Sequence, residues 1–352
     1  MEKKQERFSG VTFESHRIGG LVWSNRVVAA LEDRVAGYSM HRELRFAARI
    51  ELEVLMDAIA LDPSWRVHRN GTTEAFIDGD GLFIFVYATR KADYSSWFFY
   101  IYGADVAQVE GAKERLLAKA GSTRITEPMF SIDWHFLTCR GSLESAAIEE
   151  LANDVLHDAA YPEIQGGVKS FIERYLDAPE TVLVLQGPPG TGKTRLIRAV
   201  LAAMSVRKGQ PAQALYTGDM RALQSDEAFV KFITGDHDAF VVEDADHMMK
   251  PRADGNEHLH RFLTIADGVV RAQGRKIVFS TNLPNVGDLD EALVRPGRCF
   301  ARLNVRKLAG AEAVALAAEI ASGDAEKERR AALLGERKAG ALSLAEVYQA
   351  LQ

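Results

Sequence analysis

The spacing of apolar residues differs between the first third of this 352-residue chain and the rest of it. In the first third, short apolar runs separated by turn residues predict strands at 65–68, 73–77, 82–88, 96–102 and 129–139. Helical spacing predicts helices at 41–62, 105–119 and 143–158. We therefore predict an α+β domain with an antiparallel sheet over residues 1–155.

From about residue 180, apolar strands alternate with helical segments, and this pattern is typical of a parallel sheet with helices on both faces. The predicted strands are 181–185, 212–216, 239–246 and 276–281. An alanine-rich helical pattern broken by glycines follows to the end of the sequence. We predict an α/β domain over 156–306 and a small helical domain over 307–352.

Composition narrows the classes of protein that this chain can be. The formal net charge is −6 with both signs mixed, and the absence of a basic stripe argues against a nucleic-acid partner. No apolar stretch approaches the roughly 18 residues of a membrane span, so we expect no membrane partner. The charged start lacks the apolar segment of a secretory signal, and two distant cysteines suit a reducing compartment. We predict a cytoplasmic protein.

The run GPPGTGKT at 187–194 follows an apolar strand and precedes a helix, which is the context of a phosphate-binding loop. Glycines let backbone N–H groups converge on an anion, and the following helix adds its positive end. Lys193 can reach the β- and γ-phosphates, and Thr194 can offer its hydroxyl to Mg²⁺. The candidate nucleotide-binding residues are Gly187, Pro188, Pro189, Gly190, Thr191, Gly192, Lys193, Thr194 and Arg195.

Polar residues end the next two apolar strands. Glu243 and Asp244 follow one strand about 50 residues after the loop, and Asn282 follows the other. In a Mg²⁺-dependent ATPase one carboxylate orients the metal and the other polarises the attacking water. We therefore predict that Thr194, Glu243 and Asp244 form the metal site. We expect Asn282 to lie between the water-polarising carboxylate and the γ-phosphate.

Two arginines, Arg295 and Arg298, flank a Pro-Gly pair near residue 297. Such a pair does not suit a buried core, and it suits an exposed clamp for a highly charged transition state. The alternative is a solvated basic turn. We predict that both arginines act as arginine fingers.

Four runs carry a family resemblance: GPPGTGKT, FVVEDAD, FSTN and LDEALVRPGR. In this order and spacing they resemble the AAA family of ATPases over about residues 160–310. The resemblance implies an α/β fold in which a P-loop AAA module is followed by a small helical lid and preceded by the α+β domain. It also implies ATP and Mg²⁺ as cofactors. The implied Walker A, Walker B, sensor 1 and arginine-finger residues are Lys193 with Thr194, Glu243 with Asp244, Asn282, and Arg295 with Arg298.

The arginine fingers of this family act on the nucleotide of a neighbouring subunit, so the resemblance implies a homo-oligomeric ring of six or seven subunits. Two features depart from most family members. Glu243 precedes Asp244 where Asp then Glu is usual, and no aromatic–hydrophobic–Gly triplet occurs between Tyr216 and Phe240. Both features resemble the mitochondrial chaperone that inserts the Rieske subunit into the cytochrome bc complex, and its bacterial relatives.

These features predict an ATP-hydrolysing ring that remodels or translocates a protein client without threading it past aromatic residues. The client would bind through the N-terminal domain, and the sequence does not identify it. Two alternatives stay open: a scaffold that assembles on ATP binding alone, and a nucleic-acid motor or loader.

Overall fold

The computed structural model divides the chain into two compact units, Met1–Thr126 and Glu127–Gln352. The first domain, expected to reach residue 155, therefore ends about 30 residues earlier. The structure describes residues 24–25, 28, 40–91, 93–127, 129–137, 143–151, 155–250, 259–266, 274–284, 289–336 and 340–352.

The first unit contains a five-stranded antiparallel sheet in the order β1-β5-β4-β3-β2. Its elements are β1 (Met40–Ala48), α1 (Leu52–Ala60), β2 (Arg66–Asn70), β3 (Glu74–Gly79), β4 (Leu82–Arg90), β5 (Ser95–Gly103) and α2 (Val106–Ala120). Buried residues of both helices, such as Leu55 and Leu116, form one core with sheet residues such as Ile84 and Trp97. The expected α+β architecture is confirmed for this unit.

The predicted helix at 41–62 is wrong in its first half. Residues Met40–Ala48 form strand β1, and the helix begins only at Leu52. Leu44, Phe46 and Ala48 alternate toward the core while β1 pairs with all nine residues of β5. Short apolar runs fit helical and strand periods about equally, and the pairing with a distant strand decides between them.

The second unit is built on a seven-stranded sheet in the order β12-β8-β11-β10-β9-β6-β7. All neighbouring pairs are parallel except β6–β7. Its strands are β6 (Met129–Leu137), β7 (Leu143–Leu151), β8 (Val182–Gln186), β9 (Ala212–Thr217), β10 (Ala239–Val242), β11 (Lys276–Thr281) and β12 (Cys299–Asn304). Its helices are α3 (Val168–Asp177), α4 (Lys193–Lys208), α5 (Glu227–Thr234), α6 (Asp246–Met249), α7 (Leu259–Ala266), α8 (Gly310–Ala321), α9 (Ala325–Glu336) and α10 (Leu344–Ala350).

Helices cover this sheet on both faces, as predicted. Along β8, Val182 and Val184 belong to one buried cluster, whereas Leu183 and Leu185 belong to another. Successive side chains of a strand point to opposite faces, so a strand covered on both sides is apolar throughout. None of the helices in the described ranges is both long and apolar enough to cross a membrane.

The hairpin β6–β7 corrects two predictions. Residues 143–151 form a strand, so the helix expected at 143–158 is wrong there. Strand β6 was expected in the N-terminal domain, but it extends the parallel sheet by pairing with β9, with Trp134 opposite Tyr216. The alternation along β6 predicts a strand, but it carries no information about a partner some 80 residues away.

Candidate active site

The loop between β8 and α4 curls because three glycines adopt left-handed backbone angles. Their φ values are 153° at Gly187, 77° at Gly190 and 96° at Gly192. A Cβ atom at Gly187 would collide with the carbonyl oxygen of Val305. Only glycine fits that position, because the angle and the space both exclude a side chain.

Lys193 begins helix α4, and its ammonium group is buried at the inner edge of this loop. The Nζ atom donates to the carbonyl oxygens of Gly187 at 2.7 Å and Pro188 at 3.1 Å, and to Asn282 Oδ1 at 2.9 Å. Burial lowers the pKa of Lys193, and nearby carboxylates, Asp244 first among them, oppose that shift. The positively charged Lys193 side chain is therefore held at the phosphate-binding loop.

Glu243 lies directly after β10 and accepts two hydroxyl hydrogen bonds. Thr194 donates to its Oε1 atom at 2.5 Å, and Tyr216 donates to its Oε2 atom at 2.6 Å. Burial and the hydrogen bond to the Glu243 carboxylate raise the pKa of Tyr216 well above its usual range, so the phenol stays protonated. The structure therefore brings the predicted metal residues Thr194 and Glu243 into direct contact.

Asp244 has a backbone φ of 50°, in the left-handed region that a residue with a side chain rarely adopts. Its amide donates to Ser280 Oγ at 3.3 Å, and its Oδ1 atom accepts from Asn282 Nδ2 at 2.9 Å. Since Asn282 also accepts from Lys193, one amide side chain joins the lysine to this carboxylate. Strained backbone of this kind recurs at functional sites, where the surrounding structure holds it.

Asp246 is a site residue that sequence reasoning missed. Its Oδ1 atom accepts from Thr281 Oγ1 at 2.6 Å and from the backbone amide of Asn282 at 2.7 Å. It therefore fixes the backbone that carries the sensor 1 candidate. The run of acidic residues at 243–246 was visible in the sequence, but the pairing with the end of β11 was not.

These groups surround one open cavity of about 500 Å³, within the range of ligand pockets. Loop residues, both carboxylates, Ser280 and Asn282 line it, together with Leu344, Ala345 and Tyr348 of α10. Helix α10 is held at the loop by the Ala345 amide, which donates to the Gly190 carbonyl at 2.9 Å. The Arg195 guanidinium also lies over the Tyr348 ring, 4.1 Å from its centre.

The two candidate arginine fingers lie outside this cavity. The Arg298 carbonyl accepts from the Val182 amide at the start of β8, whereas the phosphate-binding loop follows the end of β8. Five strand residues separate these ends by about 15 Å. The Arg298 side chain donates to the Ala292 carbonyl, and Arg295 is exposed.

Residues 183–307 match the family described as the ATPase family associated with various cellular activities (AAA). The chain contains an AAA ATPase domain. The match spans all parallel strands from β8 to β12 and every predicted catalytic residue. The P-loop ATPase class and the parallel sheet predicted from the sequence are thereby confirmed.

Curated relatives share this domain at modest identity. The chain is 28% identical over 167 residues to the putative ribosome biogenesis ATPase nvl of Dictyostelium discoideum, covering 44% of this chain and 18% of that protein. It is 32% identical over 139 residues to the ATP-dependent zinc metalloprotease YME1 homolog of Caenorhabditis elegans, covering 37% and 19%. It is 28% identical over 162 residues to the ATP-dependent zinc metalloprotease FtsH of Acidimicrobium ferrooxidans, covering 40% and 24%. The chain thus spans less than a quarter of each relative's length.

Proposed function

We propose that the AAA domain hydrolyses ATP with Mg²⁺, and that the chain uses this turnover as a homo-oligomeric ring to act on a protein client. The observation that carries the proposal is the connected set of Lys193, Asn282, Asp244, Glu243 and Thr194 around one cavity. A scaffold that only binds ATP has no need of a carboxylate positioned for hydrolysis. The Asp244–Asn282 hydrogen bond therefore favours turnover over the scaffold alternative.

The residues suited to hold Mg²⁺ are Thr194 and Glu243. A hydroxyl and a carboxylate that touch beside a phosphate-binding loop are the hard oxygen ligands that this ion prefers. When bound, Mg²⁺ would neutralise charge on the phosphates. Lys193 would add a second positive charge beside the phosphates, since it lines the same cavity.

Asp244 is the group suited to polarise the attacking water. It is more exposed to the cavity than Glu243, and its Oδ1 atom is held by Asn282 rather than by the predicted metal residues. Its second carboxylate oxygen is the one suited to accept a proton from water, and a general base must be within hydrogen-bond reach of that water. Asn282 would position Asp244 and the γ-phosphate together.

The backbone of Arg298 lies at the start of β8, and the phosphate-binding loop follows the end of this strand, about 15 Å away. This separation supports a site that is completed by a neighbouring subunit. Arg295 is exposed, and neither it nor Arg298 lines its own cavity. An arginine of a neighbouring subunit would therefore stabilise the negative charge that develops on the phosphates in the transition state. A ring of six or seven subunits lets every cavity receive one.

Mixing two inactive variants tests the shared site. Arg295→Ala subunits should be about 1,000-fold less active, or weaker still, because their neighbours' cavities lack the finger. Asp244→Asn subunits keep Arg295 but should lack turnover. In an equal mixture, about a quarter of the interfaces join an intact cavity to an intact finger, and we expect phosphate release to recover accordingly. The measurement is phosphate release against mixing ratio after subunit exchange.

Arg298→Ala serves as the matched comparison, because the Arg298 side chain already donates within its own chain. If it acts only through that bond, its activity should follow its thermal stability and should not recover on mixing. No recovery of Arg295→Ala at any ratio, together with a monomeric mass by light scattering, would contradict the ring.

We further propose that the client is handled by the N-terminal unit and is not threaded past aromatic residues. Between Tyr216 and Phe240 the aromatic side chains are Phe229 and Phe232 of α5, and both are buried in the core of the second unit. Tyr216 itself is hydrogen-bonded to Glu243. A threading loop needs an exposed aromatic side chain, and this segment offers none.

The test of this mode of action uses the client captured on the Asp244→Asn variant with ATP. That client is fused to a tightly folded fluorescent protein, and fluorescence is followed during hydrolysis. We expect the signal to stay constant while the client is remodelled. ATP-dependent loss of fluorescence that disappears in a stably folded Phe229→Leu variant would contradict this proposal. It would show that the segment between Tyr216 and Phe240 contacts the client during threading.

The narrower assignments rest on the sequence. The Glu243–Asp244 order and the missing triplet support the subgroup of the Rieske-inserting chaperone and its bacterial relatives. The lid boundary at residue 307 and the cytoplasmic location also stay predictions. A net charge of −6 argues against the nucleic-acid alternative, which a salt-dependent gel shift would reveal.

A further inference from the structure

We propose that Tyr216 is a positioning residue of the ATPase site, because its phenol holds the Glu243 carboxylate in place for Mg²⁺. The inference rests on the proposed function, in which Thr194 and Glu243 form the metal side of the cavity. We also infer that the fluorescence of Trp134, which packs against Tyr216, reports changes at Thr194 and Glu243. Neither residue belongs to the phosphate-binding loop, the Walker B pair or the arginine fingers.

The two oxygens of Glu243 are each held by a different hydroxyl. Thr194 approaches Oε1 and Tyr216 approaches Oε2, at 2.5 and 2.6 Å. Both distances are those of direct O–H···O hydrogen bonds. Without the phenol, the carboxylate would keep its bond to Thr194 and regain rotation about its terminal torsion.

The order of the two acidic residues explains why the Glu243 carboxylate needs a second hydrogen-bond donor to fix its conformation. Glutamate has one more rotatable bond than aspartate, and ordering a long polar side chain costs more conformational entropy. Glu243 stands first in the pair, next to Thr194, whereas Asp244 stands second. Tyr216 reaches Glu243 from a neighbouring strand and removes this extra freedom.

Sheet register brings the phenol to this position. Tyr216 on β9 is paired with Val241 on β10, two residues before Glu243, and with Trp134 on β6. The rings of Tyr216 and Trp134 meet edge-on at 88°, with centres 5.8 Å apart. Trp134 is 45% exposed, so its indole contacts both the Tyr216 ring and solvent. Any movement of Tyr216 therefore changes the surroundings of an indole.

The test compares Tyr216→Phe with the wild-type chain in titrations of Mg²⁺ at a fixed concentration of a fluorescent ATP analogue. This variant deletes the hydroxyl and keeps the ring that contacts Trp134. We expect about 10-fold weaker apparent Mg²⁺ affinity, as for other residues that orient a metal ligand, and unchanged nucleotide binding in EDTA. Tyr100→Phe, in the first unit, is the matched control for the loss of a tyrosine hydroxyl.

A double-mutant cycle tests whether Tyr216 acts through Glu243. Glu243→Asp shortens the carboxylate beyond reach of the phenol, so Tyr216→Phe should then cause less than a twofold further loss of Mg²⁺ affinity. Additive losses would overturn the inference. Mg²⁺ should also change the tryptophan emission of the nucleotide complex in the wild-type chain, and Trp134→Phe should abolish that change.

The outcomes separate this inference from the proposed function. If the wild-type chain shows no Mg²⁺-dependent nucleotide binding, the proposed function fails. If the wild-type chain depends on Mg²⁺ and a folded Tyr216→Phe variant follows the same titration curve, only the role of Tyr216 fails. Thermal unfolding without nucleotide checks that the variant is folded.

Discussion

Asp244→Asn should bind ATP normally and hydrolyse it at least 100-fold more slowly than the wild-type chain. Loss of a general base typically costs this much, and the substitution removes the negative charge that would polarise water. Asparagine keeps an oxygen that can accept from Asn282 Nδ2. It also tolerates the left-handed backbone at φ 50° better than other residues with a side chain. The fold should therefore be unchanged.

Phosphate release and equilibrium binding of a fluorescent ATP analogue together measure this effect. Asp177→Asn is the control, because Asp177 forms an exposed ion pair with Arg207 away from the cavity. Hydrolysis by Asp244→Asn at the wild-type rate would show that Asp244 does not polarise the water. Glu243 would then be the candidate for that role.

Lys193→Ala should weaken ATP binding by at least 100-fold. The substitution removes the cation that faces the phosphates and leaves Glu243, Asp244 and Asp246 without the positive charge beside them. A charge-assisted contact to phosphate becomes a like-charge repulsion, so the loss exceeds that of one hydrogen bond. Titration of the same fluorescent analogue measures it.

Lys208→Ala is the matched control, since Lys208 ends the same helix and pairs with Asp238 away from the loop. Lys193 also donates to the loop carbonyls of Gly187 and Pro188, so thermal unfolding without nucleotide must accompany the titration. A folded Lys193→Ala variant that binds ATP as tightly as Lys208→Ala would contradict the role of the loop.

The phosphate-binding loop and the buried strands around it could be predicted because their signals are local. Gly187, Gly190 and Gly192 adopt backbone angles for which only glycine is suited, and the motif spacing reports that requirement directly. Strand β8 is apolar on both faces and therefore reads as a buried parallel strand. Helices α8, α9 and α10 could be predicted from the spacing of their apolar residues and from the glycines between them.

The remaining features depend on contacts between residues that are distant in sequence. Residues 41–48 carry a pattern that fits a helix, but pairing with β5 makes them a strand. The hairpin β6–β7 joins the ATPase sheet through β9, and no local signal indicates that partner. Tyr216 looked like an ordinary strand end, and its contact with Glu243 depends on a register that the sequence does not show.

The most direct test of the whole account is steady-state phosphate release from ATP by the purified chain, with Mg²⁺ and with EDTA. The account predicts turnover that requires Mg²⁺, rises per subunit with protein concentration as rings form, and is absent from a Lys193→Ala preparation purified in the same way. Turnover that is absent under every condition, or equal in the Lys193→Ala preparation, would contradict it.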